Sequence, residues 1–102
     1  MTGLIDKHRA EVAALCRQAR VRRLDVFGSA ARDDFDPATS DIDLLVEFDD
    51  LPPTSFADAY FTLRESLEQL FGRPVDLVTT SSVENPFFRE RIEAERKPVY
   101  AR

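Results

Sequence analysis

The sequence predicts a small α/β or α+β domain in which helices pack on one β-sheet. Three observations favour this class. First, segments with helical spacing alternate along the chain with segments that have strand-like spacing. Second, polar and apolar side chains alternate at the start of residues 41–48. Third, apolar side chains recur at helical spacing over residues 56–71. The length of 102 residues suits a single domain, which we place over residues 1–102.

The first half of the chain predicts one helix and two strands. A β-rich run over residues 21–27 ends at Gly28 and predicts the first strand, and residues 41–48 predict the second. Because side chains alternate along a strand, Asp41, Asp43 and Leu45 share one face, and the opposite face is apolar. The helix is predicted over residues 4 to about 20, where one stripe carries Leu4, Ile5, His8, Val12, Leu15, Cys16 and Ala19.

The second half predicts two helices and two strands. Ser55 is predicted to cap the helix that ends near residue 71, and Gly72 stands where a left-handed residue ends a helix. Residues 74–78 predict a strand. Asn85 followed by proline predicts the cap of a helix that runs to about residue 95, and residues 97–100 predict a short terminal strand.

Charge and cysteine content exclude several kinds of function. The net charge of −5 argues against a broad electrostatic grip on nucleic acid, which needs many Lys and Arg contacts. A single cysteine, Cys16, excludes an internal disulfide framework and a thiolate zinc site. No apolar run approaches the roughly 20 residues that span a bilayer, and the first residues do not resemble a signal peptide. We therefore expect no membrane association and a cytoplasmic protein.

The turn at Gly28 and Ser29 is a candidate phosphate-binding element. Glycine after a strand lets the backbone turn sharply and approach a ligand. The small residues that follow can form a helical turn whose free N–H groups face a phosphate, and the Ser29 hydroxyl can donate to one as well. An ordinary Gly-Ser turn has the same residues, so this signal alone is weak.

Asp41 and Asp43 are candidate metal ligands. Two carboxylates side by side on a strand repel each other unless a cation lies between them, and Mg²⁺ binds one or two carboxylates together with water and phosphate oxygens. A solvated strand face is the alternative, and the apolar opposite face makes it the weaker one. Asp76 stands within an apolar run, where a lone charge needs a partner. If its strand pairs with the second strand, three carboxylates meet, enough for two metal ions.

Other candidate sites are weaker. An EF-hand calcium loop fails, since a loop starting at Asp34 has Thr39 where glycine is required and one starting at Asp41 has Leu45 as fifth residue. His8 and Cys16 lie on the apolar stripe of the first helix and are interpreted as packing residues. Four basic residues near residue 95, interleaved with glutamates, are interpreted as a solvated helix face or part of a partner interface: Arg89, Arg91, Arg96 and Lys97.

Gly28-Ser29, Asp41-x-Asp43 and the downstream Asp76 together resemble the polymerase-β-type nucleotidyltransferase superfamily. The chain is most similar to its minimal members, the MNT-domain antitoxins that pair with HEPN-domain ribonuclease toxins, and the similarity covers nearly its full length. The resemblance implies a small mixed β-sheet with helices packed on it, and an enzyme that transfers AMP from ATP to a hydroxyl. The acceptor would be a tyrosine of the toxin, with pyrophosphate leaving.

The resemblance also implies roles for individual residues. Asp41, Asp43 and Asp76 would be catalytic and would bind Mg²⁺, two ions in all. Gly28, Ser29, Arg32 and Ser40 would bind the nucleotide, although Arg32 could equally form a structural salt bridge. Two features depart from the family: eleven residues separate Ser29 from Asp41 where ten are common, and Asp33 replaces a usual glycine.

Three functions remain open on the sequence. The first is an adenylyltransferase that modifies a partner protein, in a hetero-oligomer with a HEPN toxin encoded beside it. The second is a non-catalytic antitoxin that neutralises its partner by complex formation. The third is a nucleotidyltransferase acting on a small molecule or an RNA end, which the acidic charge disfavours.

Overall fold

The fold is known from a computed structural model, which describes residues 3–32 and 41–102. These residues form four helices and four strands, with one 3₁₀ turn after β1 and another after β3. The sheet elements are β1 (Val21–Phe27), β2 (Ile42–Phe48), β3 (Val75–Thr79) and β4 (Lys97–Ala101). The helices are α1 (Gly3–Lys7), α2 (Arg9–Gln18), α3 (Pro53–Phe71) and α4 (Pro86–Glu95), and the 3₁₀ turns are Gly28–Ala30 and Thr80–Ser82.

The four strands form one mixed sheet in the order β3-β2-β1-β4. β1 pairs antiparallel with both β2 and β4, whereas β2 and β3 are parallel and α3 makes the crossover between them. In the β2–β3 register, Asp43 lies opposite Asp76. The predicted fold class is therefore confirmed, and so is the pairing that brings these two aspartates together.

The two faces of the sheet differ in what covers them. One face packs against α1, α2 and α3 and forms the main core, which contains Ile42, Leu44 and Val46 from β2. The other face carries a smaller cluster under α4: Phe27, Leu45, Val83 and Ile92, with Val78 packed against it. Asp43 shares the parity of Leu45, so the predicted acidic end of β2 lies on the α4 side of the sheet.

Two local predictions were wrong. The first helix is broken at His8, which separates α1 from α2; the His8 ring packs edge-on against Phe71, with ring centroids 6.0 Å apart. Ser55 does not cap α3, which begins at Pro53 because proline suits the first helical position and Pro52 precedes it in an extended conformation.

In residues 3–32 and 41–102, no helix is long and apolar enough to cross a membrane.

Two predicted helix ends were confirmed. Gly72 closes α3 at φ +68°, and its N–H donates to the Glu68 carbonyl oxygen over 2.8 Å. Asn85 caps α4: its side-chain oxygen accepts from the N–H of Phe87 at 2.9 Å and of Phe88 at 3.3 Å. These bonds satisfy two of the helix's first N–H groups, which otherwise have no partner within the helix.

Replacing this cap should therefore weaken α4. We expect Asn85→Ala to lower the free energy of unfolding by about 1 kcal/mol and Asn85→Asp to restore most of it. Urea unfolding followed by circular dichroism measures both values. Equal stability of Asn85→Ala and the wild type would show that the cap contributes nothing.

Candidate active site

Gly28 lies directly against the Asp43 side chain. It follows β1, where Phe27 pairs with Asp43, and it has a left-handed φ of +70°. A Cβ atom at Gly28 would stand 2.4 Å from Asp43 Oδ2, closer than any real contact of that kind. Only glycine suits this position, because it tolerates the positive φ and leaves room for the carboxylate. The predicted phosphate turn and the predicted metal ligand thus form one site.

The three predicted metal ligands lie at one end of the sheet. Asp41 immediately precedes β2 and is exposed, and Asp43 is partly buried. Asp76 is exposed, although the apolar residues around it suggested burial. It stands on the edge strand and on the sheet face opposite the main core, where solvent reaches it.

The pKa of Asp43 responds both to burial and to the neighbouring charges. Its pKa is raised from 3.8 to about 6, first because partial burial disfavours the charged form and then because Asp76 and Asp41 repel it. Arg32 partly offsets this rise, and Glu95 adds to it. A cation bound among these groups would relieve the repulsion, so the donor set fits a hard, oxygen-preferring ion such as Mg²⁺.

A complete metal cage is not present in the described part of the chain. Among residues 3–32 and 41–102, no group of three or more His, Cys, Asp or Glu side chains is placed to hold a metal ion. Mg²⁺ typically takes only one or two carboxylates and fills its shell with water and substrate phosphates. The three-carboxylate metal site stays a prediction.

The predicted nucleotide-binding residues divide into two groups. Gly28 and Ser29 lie in the 3₁₀ turn next to Asp43, and Arg32 follows that turn. Arg32 forms the salt bridge that the sequence allowed: its Nη1 donates to Glu95 Oε1 over 2.7 Å. Ser40 lies outside the described residues, as does Asp33, which departs from the family pattern.

Glu95 is a site residue that sequence reasoning missed. It ends α4, and its Oε2 accepts the Gly28 N–H over 3.0 Å while Oε1 accepts from Arg32. Glu95 and Gly28 are 67 residues apart in the sequence, so no local sequence pattern could reveal their contact.

Asp25 is a second unpredicted residue, buried on β1 beneath the end of α4. It has no exposed surface, and its carboxylate accepts from Arg96 Nε at 2.5 Å and from Arg23 Nε at 3.1 Å. Burial of a charge is tolerated only when it is paired in this way. The interpretation of Arg96 as part of a solvated face was therefore wrong, because its guanidinium neutralises a buried acid.

The remaining candidates have structural roles. Cys16 is buried in the main core, and burial raises the pKa of its thiol to about 12, which keeps it protonated and unreactive. His8 is partly buried as predicted, and its Nδ1 lies 3.0 Å from Glu11 Oε2. The most voluminous of the clefts found, about 570 Å³, lies at the far end of β2 near Phe48 and Asp49 and contains none of the predicted site residues.

Comparison with known proteins shows the family to which the chain belongs. Residues 5–99 match the nucleotidyltransferase domain family. The chain belongs to that family. The resemblance drawn from the Gly-Ser turn and the aspartate pair is thereby confirmed, together with the prediction that this nucleotidyltransferase domain is an enzyme.

Two relatives of this nucleotidyltransferase are named for a more specific activity. A protein of Methanocaldococcus jannaschii, provisionally named as a protein adenylyltransferase, is 41% identical over 76 residues, which cover 74% of each chain. The protein adenylyltransferase MntA of Thermococcus cleftensis is 40% identical over 65 residues, covering 64% of this chain and 62% of that protein.

Solved structures share the fold of the nucleotidyltransferase. A protein provisionally described as a minimal nucleotidyltransferase superposes with a TM-score of 0.75 at 33% identity, covering 91% of this chain and 90% of that one. A tri-AMPylated Shewanella oneidensis HEPN toxin in complex with its MNT antitoxin gives a TM-score of 0.64 at 20% identity, covering 96% and 73%. A toxin–antitoxin structure with AMP-PNP gives 0.67 at 21% identity, covering 92% and 73%. At these lower identities the likeness concerns the fold alone.

Proposed function

We propose that this nucleotidyltransferase transfers AMP from ATP to a tyrosine hydroxyl of a HEPN ribonuclease toxin and so acts as its antitoxin. The observation that carries the proposal is the contact between the Gly28 turn and Asp43, with Asp76 beside Asp43 in the sheet. This places a candidate phosphate-binding backbone against carboxylates that repel one another. Similarity to proteins named as protein adenylyltransferases supports the choice of reaction.

The proposed reaction replaces one bond to phosphorus with another. The tyrosine oxygen forms a bond to the α-phosphorus of ATP, and the bond from that phosphorus to the oxygen bridging to the β-phosphate breaks. Pyrophosphate leaves with that electron pair. The hydroxyl proton passes to a carboxylate oxygen of Asp76, whose exposed position leaves it open to an incoming acceptor.

Asp41, Asp43 and Asp76 are the residues that would hold two Mg²⁺ ions. When bound, such ions neutralise the charge that develops on the phosphates and on the attacking and leaving oxygens. The pKa of Asp43 is raised first by burial and then by repulsion from Asp76 and Asp41, and a bound cation would relieve that repulsion, which supports this assignment. Gly28, Ser29, Arg32 and Ser40 would hold the triphosphate. A solved relative in fold contains the ATP analogue AMP-PNP, which supports ATP as the donor.

The open side of the site supports a protein as the acceptor. Asp41 and Asp76 are both exposed, and Asp76 lies on an edge strand with no further strand beside it in the described part of the sheet. A partner could therefore present a hydroxyl directly to the carboxylates. We propose a hetero-oligomer with the toxin in the cytoplasm, where ATP is available, without broad nucleic-acid binding.

Radioactive transfer tests the proposal. The purified chain is incubated with α-³²P-labelled ATP, Mg²⁺ and the protein encoded beside it, and the double variant Asp41→Asn/Asp76→Asn is compared with the wild type. We expect label on the partner with the wild type and none above background with the double variant. Asp58→Asn, which removes one exposed carboxylate of α3, is the matched control and should transfer label normally.

Two outcomes would contradict the proposal. If the double variant neutralises the toxin as well as the wild type and no label is transferred, the protein acts by complex formation alone. If label appears on RNA or on a small molecule but never on the partner, the acceptor class is wrong.

A further inference from the structure

We infer that Glu95 is a positioning residue, which holds the phosphate-binding turn and Arg32 in place for the triphosphate. The inference rests on the proposed function and extends it to a part of the chain outside the known motifs. Its basis is that one carboxylate joins two elements of the site: Oε2 accepts the Gly28 N–H at 3.0 Å and Oε1 accepts from Arg32 Nη1 at 2.7 Å.

The contact with Gly28 fixes the turn relative to Asp43. Gly28 is buried, so its N–H needs a partner inside the protein, and Glu95 is the partner it has. Asp43 Oδ2 lies against the Cα of the same glycine. Glu95 therefore holds the Gly28 backbone beside Asp43, and a shift of Glu95 would move the turn relative to that predicted metal ligand. A displaced turn would present its N–H groups less well to the triphosphate, which weakens nucleotide binding.

The contact with Arg32 restricts a long and flexible side chain. The Arg32 side chain is 43% exposed, whereas Glu95 is 18% exposed and is also approached by Arg91 Nε at 3.7 Å. An ion pair with this less exposed carboxylate removes rotamer freedom of Arg32 that phosphate binding would otherwise have to remove. We therefore expect the pair to favour phosphate binding through preorganisation.

The helix end that carries Glu95 is itself anchored. The next residue, Arg96, donates to the fully buried Asp25 of β1 at 2.5 Å, and Ile92, one turn earlier, is buried in the small cluster beside Phe27. Glu95 is therefore held by contacts on both sides along the chain. A carboxylate fixed in this way can orient a turn, whereas a mobile surface acid could not.

Two substitutions separate the contacts of Glu95. Glu95→Ala removes both, and Glu95→Gln keeps an oxygen for the Gly28 N–H but loses the charge that pairs with Arg32. Glu90→Ala and Glu90→Gln, at an exposed position of the same helix, are the matched controls. We measure amide exchange of Gly28 by NMR, the dissociation constant for ATP with Mg²⁺ by calorimetry, and KM and kcat for AMP transfer.

We expect Glu95→Ala to speed exchange of the Gly28 amide and to raise both the dissociation constant and the KM for ATP about tenfold, equivalent to one lost hydrogen bond of about 1.4 kcal/mol. Its kcat should stay within about threefold of the wild type, since the carboxylates of the reaction are intact. Glu95→Gln should restore slow exchange and keep a smaller rise in KM of about threefold. The Glu90 variants should match the wild type.

Several results would overturn the inference. A loss of folded protein with unchanged KM would show that Glu95 stabilises the fold and nothing more. Tighter ATP binding by Glu95→Ala would show that Glu95 competes with the phosphates. A wild-type protein that neither binds ATP nor transfers AMP would refute the proposed function and this inference together, whereas equal ATP binding by the wild type and Glu95→Ala refutes the inference alone.

Discussion

Gly28→Ala is expected to destabilise the protein by about 3 kcal/mol and to abolish AMP transfer. Two costs add. An alanine at φ +70° is strained by about 1–2 kcal/mol, and its Cβ would stand 2.4 Å from Asp43 Oδ2, so the carboxylate must move. Urea unfolding measures the first effect and the labelled-ATP assay the second.

The chain offers a matched control for the backbone cost. Gly72 has nearly the same φ, +68°, but a Cβ there meets no atom within 4 Å. Gly72→Ala should therefore cost only the backbone strain of about 1–2 kcal/mol and leave AMP transfer intact. In an Asp43→Ala background the clash at Gly28 is largely removed, so Gly28→Ala should then cost about as much as Gly72→Ala. Additive costs of Gly28→Ala and Asp43→Ala would contradict the contact.

Asp43→Asn is expected to have opposite effects on activity and stability. It should reduce AMP transfer about a thousandfold, because the variant loses a charged ligand where the phosphates are neutralised. Without divalent cations at pH 8, however, it should be more stable than the wild type by about 1–2 kcal/mol. The rise in pKa from 3.8 to about 6 corresponds to more than this, but solvent screens a partly exposed carboxylate.

The advantage of Asp43→Asn should depend on pH in one direction. The pKa of Asp43 is higher in the folded protein than in the unfolded chain, so protonated Asp43 favours folding. That stability is fully present below pH 3.8 and is lost as the pH rises through about 6. The difference between variant and wild type should therefore grow from about pH 4 to pH 7 and vanish in acid.

Thermal unfolding in metal-free buffer across this range is the measurement. Added Mg²⁺ at pH 8 should raise the melting temperature of the wild type and leave that of Asp43→Asn nearly unchanged. Asp58→Asn, an exposed acid of α3, should show neither effect. A wild type as stable as Asp43→Asn at every pH would mean that the carboxylates do not repel one another in the folded protein.

The parts of the site that depend on local pattern could be predicted from the sequence. Strand alternation placed Asp41 and Asp43 on the face opposite Ile42 and Leu44, and the structure has the same alternation. The Asn85 cap and the left-handed Gly72 could be predicted as well, because helix caps favour asparagine and left-handed helix ends favour glycine. Such features involve neighbours a few residues apart.

The parts that depend on distant contacts could not be predicted. Asp25 can be buried because Arg96, 71 residues later in the sequence, donates a hydrogen bond to its carboxylate. Asp76 was expected to be buried because its neighbours are apolar. Its side chain is exposed because its strand lies at the edge of the sheet, and the order of strands cannot be read from local sequence. His8, where the first helix is broken, packs against Phe71 at the far end of α3, and this contact is equally distant in sequence.

The bracing of the Gly28 turn by Glu95 has a consequence for the order of events during synthesis. The turn and all three predicted metal ligands leave the ribosome before the residue that braces them, since Glu95 follows Gly28 by 67 residues and Asp76 by nineteen. Domains fold as units once their chain is available. A nascent chain that already contains every motif residue would hence lack an organised nucleotide site, and the competence to bind ATP would arise only when α4 and β4 are made.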